Sequence, residues 1–170
     1  MTVDRQRQAT YAAEYDAFEG TDLTDRARLS DLADLAARVV AEPWWQGPAV
    51  VVRPARADSS TSSARCGISA HDDVEIRLAP GGCTVATLVH ELAHALVGPA
   101  RGHDASFRRA TLDVLAVATN LDAPRRRGER HVAGLLEAFA AHGLTVGERG
   151  WPDPVGFGSR PGAGGAPIAL

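Results

Sequence analysis

The sequence predicts an α+β fold: a small domain in which a three-stranded antiparallel sheet packs on helices, with two histidines on the central helix. Three observations predict it. Val74-Glu75-Ile76-Arg77-Leu78 alternates apolar and polar residues, the period of a strand with one buried face. Four further stretches space their apolar residues three and four apart, the period of a helix with one buried stripe. The segment after that strand holds His90-Glu91-Leu92-Ala93-His94 inside an otherwise apolar helical frame.

Taken in order, residues 1–20 place Tyr11, Tyr15 and Phe18 at helical spacing, which predicts a short helix docked through that aromatic stripe. Asp22 or Thr24 is placed to cap a second helix running to about Glu42, with Leu29, Leu32, Leu35, Ala36, Val39 and Val40 on one face and Pro43 as its stop. Trp44 and Trp45 are expected to pack at the junction with the sheet, the lesser alternative being a substrate groove. Ala49 to Arg53 is a β-branched run, residues 54–63 a loop, and Ala64 to Ala70 a return strand. With Val74 to Leu78 they suggest an antiparallel meander.

Pro80-Gly81-Gly82 breaks the chain before the motif helix, Thr84 to Val97, which Gly98-Pro99 ends. Asp104 can cap a helix over Ala105 to Asn120 whose apolar side is Phe107, Leu112, Val114 and Leu115. Arg125-Arg126-Arg127 is expected as a linker. Glu129 to His142 reads as the last helix, with Val132, Leu135, Leu136 and Phe139 inward and His131 and His142 exposed. A single domain over 1–146 and a Gly/Pro-rich tail over 147–170 follow, the tail poorly ordered or laid on the surface.

Composition narrows the function classes. The 170 residues suffice for one core. A net charge of −3, with arginine as the only basic residue besides histidine, gives no electrostatic case for nucleic acid. The Arg125 to Arg130 cluster contains Glu129 and no aromatics, so it reads as a solvated segment. No apolar run approaches the roughly 20 residues of a membrane span, and Met1 to Gly20 shows no secretory h-region, so the expected location is the cytoplasm. Cys66 and Cys83 match no paired metal knuckle and are expected as reduced, buried side chains.

The chemistry lies in His90, Glu91 and His94. Histidines four apart share one helical face, where two imidazoles can hold one metal ion. Glu91 lies about 100° around the helix, placed to reach water beside that metal without being a ligand. This HExxH arrangement is that of zinc hydrolases. Catalytic zinc takes a third protein ligand. The candidates are His103, Asp104, Glu129 and His71, and His103 is best placed because Gly102 lets a tight turn bring it back to the helix. The metzincin spacing and Met-turn are absent, since the only methionine is Met1. No glutamate between Glu91 and Glu129 supplies a thermolysin-type third ligand.

These residues resemble a family. His90-Glu91-Leu92-Ala93-His94 followed by Gly102-His103-Asp104-Ala105-Ser106-Phe107 is similar to the SprT-like zinc metallopeptidases, which continue with Gly-His-Gly-x-x-Phe. Tyr11-Ala12-Ala13-Glu14, Trp44-Trp45, Val50-Val51-Val52-Arg53 and Phe139-Ala140-Ala141-His142-Gly143-Leu144 resemble a small actinobacterial family described as HExxH metallohydrolases. The likeness covers most of residues 8–146. It implies a small zincin, with His90, His94 and His103 as zinc ligands, Glu91 as general base and a peptide or protein as substrate. Asp104 stands where the SprT-like pattern has glycine, which puts a charge beside the metal. The alternative is a metal-binding protein without turnover. In the catalytic reading, Val74 to Leu78 is expected to form the rim of the cleft; the sequence assigns no residue to the carbonyl oxygen, Arg101 being one candidate, while Tyr11 and Tyr15 are distant in sequence but able to fold close.

Overall fold

A computed structural model describes residues 3–67, 73–121 and 125–154. It shows five α-helices and a three-stranded mixed sheet: α1 (Val3–Phe18), α2 (Leu29–Ala41), β1 (Val50–Pro54), β2 (Ser63–Cys66), β3 (Val74–Leu78), α3 (Val85–Val97), α4 (Ala105–Asn120) and α5 (Arg125–Ala141). The class is the expected α+β, but the antiparallel meander is not what forms. The strand order is β1-β3-β2. β3 is parallel to β1, from Val50↔Val74 to Pro54↔Leu78, and antiparallel to β2, from Ser63↔Arg77 to Cys66↔Val74.

The composition of the strands explains the order. Val74, Ile76 and Leu78 are all buried, so β3 has a complete core face and takes the centre. β1 ends in exposed Arg53 and Pro54 and β2 in exposed Arg65 and Cys66, residues suited to edges. The long connection from Ala55 to Ser62 carries the chain past β3 to the far edge instead of closing a hairpin.

The helices correct several expectations. α1 does not dock through its tyrosines: Tyr11 and Tyr15 are 46% and 63% exposed, while Thr10, Ala13, Glu14 and Phe18 face inward. Asp22 and Thr24 do not cap α2, whose N-cap is Arg28. They form a 3-10 turn that buries Leu23, and α2 starts later, after an extended Arg28. Trp44 is buried edge-on to Trp45, whose Nε1 donates to the Pro48 carbonyl at 3.0 Å, so the pair packs as expected. Arg125 to Arg127 are the first turn of α5, not a linker. Leu136 is exposed, while Leu135 and Phe139 carry the buried face of α5. His142 Nε2 meets Asp16 at 2.7 Å, and His131 is only 12% exposed near Asp22, so both tie α5 to the N-terminal segment. Both cysteines are free, with Cys66 exposed and Cys83 half-buried rather than buried. Among the described residues, no helix is long and apolar enough to cross a membrane.

Two local devices set up the site. The Thr84 hydroxyl accepts from the Thr87 N–H at 3.1 Å and starts α3, and Gly98, at φ 104°, ends it in a conformation that other residues rarely adopt. Beyond α5, residues 145–151 run along α4. The Gly147 N–H donates to the Ala105 carbonyl at 2.8 Å, and Arg109 donates to the Gly147 carbonyl at 2.9 Å. Asp113, 3% exposed, accepts from Arg149 at 2.7 and 3.0 Å and from the Trp151 indole at 3.0 Å. An Asp113→Ala variant strands the Trp151 indole and leaves Arg149 only Asp153, and is expected to lose about 1–3 kcal/mol of stability, measured by urea unfolding; an unchanged midpoint would show the strap to be dispensable.

Candidate metal centre

α3 presents His90 and His94 one turn apart, and the turn after Gly98 returns His103 to them. One ring nitrogen from each lies within 4.8 Å of the others. Among the described residues, these three form the one group of such side chains that can hold a metal ion. The turn is closed by Arg101 N–H to Gly98 carbonyl and Asp104 N–H to Gly102 carbonyl bonds, each 2.9 Å. Arg108, 2% exposed, fixes it from below, donating to the His103 carbonyl at 2.6 Å and to the Thr145 carbonyl at 2.7 Å. Phe107, fully buried, is the floor, its ring 5.0, 4.4 and 4.7 Å from those of His90, His94 and His103.

The other proposed third ligands separate from the group. Asp104 caps α4, accepting from the Phe107 N–H at 2.9 Å and from Arg101 at 3.0 Å. Glu129 is exposed on α5. His71 lies outside the described residues.

Glu14 of α1 is the residue the sequence reading missed. Its carboxylate takes the His90 Nδ1 at 2.8 and 3.1 Å, and both side chains are buried. Facing a carboxylate, Nδ1 carries the hydrogen, and in the neutral ring Nε2 then keeps the lone pair a metal would take. That Nε2 faces the Nε2 of His103 at 3.1 Å. Two imidazole nitrogens that close either share a proton or point at one cation.

Burial decides the charge state. It pushes His94 down to about 3, helped by the neighbouring His90 and His103, and a buried Nδ1 of His94 has no partner in hydrogen-bond geometry, although the Arg101 backbone lies near enough to favour its protonation weakly. Burial pushes His103 down to about 4, with His90, Arg7 and Arg108 acting the same way. Burial works against charge on His90 too, but Glu14 outweighs it and raises that group. His94 and His103 are therefore neutral donors near pH 7, the form a metal requires. The donor set fits a divalent cation.

Glu91 is raised, first by burial and against the pull of His90 and the Ala64 backbone N–H. It sits with His90 at one side of a groove of about 700 Å³. Tyr11 and Tyr15 line one wall, and Ser62, Gly82 and Thr87 the other. The expected rim, β3, cannot serve as an edge, because β1 and β2 occupy both its sides. The edge strand near Glu91 is β2. Arg101 is exposed and paired to Asp104. Tyr11 does come close: its ring stacks on His90 at 5.1 Å and 17° and tilts against His103 at 5.0 Å. Trp44 and Trp45 do not line this groove. Glu14 lies on the inward stripe of α1 with Thr10, Ala13 and Phe18, and an acid on such a stripe is the signal that could have found it.

Compared with protein-family models, with curated proteins and with solved structures, the chain gives no match.

Removing the Glu14 carboxylate frees the His90 ring. Glu14→Ala is expected to weaken divalent-metal affinity about 10–100-fold in chelator competition, and affinity equal to wild type would refute the anchoring role. For metal-free protein, His94 and His103 have folded values below the ordinary 6.5, so the unfolded chain binds more protons as the pH drops. Their contribution to stability is whole above about pH 6.5 and drains as pH falls toward 4 and then 3. His90, raised, contributes in the opposite sense. The melting midpoint is expected to fall over that window, and less steeply in His94→Gln; equal slopes would remove His94 as the cause.

Proposed function

We propose that this chain is a zinc-dependent hydrolase of the compact zincin type, acting on amide bonds of a peptide or protein with Glu91 as general base. The observation that carries the reading is the meeting of three histidines, one of which, His90, lines a groove together with the buried Glu91. Zinc is the metal that three imidazoles and an open position suit best, and when bound it supplies water acidified to a pKa of about 7. Everything else falls to the chain. Glu14 orients His90, and Arg108 holds the His103 turn. Glu91 would face that water with its carboxyl raised by burial, which suits a group that takes a proton and then returns it. It removes a proton as the water oxygen bonds to the carbonyl carbon. It returns that proton to the leaving nitrogen as the C–N bond breaks. An extended peptide would lie along the groove, whose lining reaches Ser60 to Ser62 just ahead of the edge strand β2.

Two variants test this together. Wild type is expected to carry one zinc per chain and to cleave a mixed fluorogenic peptide library. His103→Ala is expected to lose the metal. Glu91→Gln is expected to keep it and lose about 10²–10⁴-fold in rate. Full activity in Glu91→Gln would show that another group is the base, and zinc retained by His103→Ala would break the ligand assignment.

A further inference from the structure

We propose that the Tyr11 hydroxyl is the hydrogen-bond donor that holds the carbonyl oxygen of the scissile bond while Glu91 handles the water, an assignment that rests on the hydrolase reading above. Tyr11 is the one groove residue from α1 whose ring touches two of the three histidines, at 5.1 Å from His90 and 5.0 Å from His103. Those two rings bring their Nε2 atoms to 3.1 Å, so Tyr11 packs against the pair of rings whose donors converge. Its register is set one helical turn away, where Glu14 grips His90. A single helix face thus supplies both the anchor of a histidine and a hydroxyl beside it.

The hydroxyl is also available. Among the described residues none hydrogen-bonds it, whereas the Tyr15 hydroxyl in the same wall is spent on Glu19 at 2.7 Å. A phenol keeps its proton at neutral pH, so the group is an O–H donor. The nearby guanidinium groups of the His103 turn are committed, Arg101 to Asp104 and Arg108 to two backbone carbonyls. In the step this assigns, the water oxygen bonds to the carbonyl carbon and a water proton passes to Glu91. Negative charge gathers on the carbonyl oxygen, where the Tyr11 O–H donates to it. The C–N bond then breaks, the carbonyl re-forms, and the proton on Glu91 goes to the amine. One water is consumed, and one carboxylic acid and one amine result. A donor that strengthens its bond as charge develops accelerates the reaction without tightening substrate binding.

The test is Tyr11→Phe in the zinc-loaded full chain, a change that keeps the ring against His90. Zinc content and melting midpoint are expected to match wild type. On a fluorogenic peptide, kcat is expected to fall about 10²-fold with KM within about twofold. Inorganic phosphate, a tetrahedral oxyanion, is expected to bind about tenfold more weakly by calorimetry. Equal phosphate binding by the two proteins, or none by wild type, overturns the assignment whatever the hydrolysis shows. Loss of zinc in Tyr11→Phe also overturns it, because the ring would then act on the ligands. A wild type that cleaves no peptide, yet whose phosphate binding drops in the variant, keeps the donor and sinks the hydrolase reading.

Discussion

The contact between Glu14 and His90 is the joint on which the metal centre depends. It joins α1 to α3, and does so through the side chain whose orientation matters most. Burying a carboxylate and an imidazole is costly unless each satisfies the other, so the contact is all-or-nothing in character. With it in place, His90 has one available lone pair and one direction to offer it. Without it, the ring is free to turn and Glu14 is left as a buried charge without a partner.

The other two histidines are held by different means. His94 is fixed mainly by the geometry of α3 and by Phe107 beneath it. His103 is on a turn, and a turn alone does not hold a side chain in register. Arg108 supplies the missing rigidity by holding the His103 and Thr145 carbonyls at once. The strap beyond α5 is therefore part of the support of the site, and Asp113 with Arg149 keeps it seated. His90, His94 and His103 owe their places to a buried carboxylate, a helix and a bound strap, in that order.

Local pattern was legible wherever one element decided its own fate. β3 reads correctly because its alternation is complete, and α3 and α4 because cap, apolar face and stop agree. The gathering of His90, His94 and His103 was legible for the same reason: the helix sets two of them and the Gly102 turn returns the third. Strand order was not, since whether a strand pairs with its neighbour or is passed over depends on competition for the core among all three. The face on which α1 docks was not either. Its tyrosines looked like the sticky stripe, but Glu14 gains more by meeting His90 than two phenols gain by burial. The acid on the inward stripe marks the need for a partner, but the partner lies 76 residues away and nothing local names it.

The separation along the chain of the parts that meet at the site has a kinetic meaning. Glu14 and His90 are 76 residues apart, and Arg108 reaches 37 residues to Thr145. Contacts that close such long loops form late, after most chain entropy has been spent. A zinc finger recruits its ion to fold. Here the three histidines meet only in a finished tertiary structure, so any ion they take would be the last component to arrive, and a partly folded chain would offer it only the two histidines of one helix.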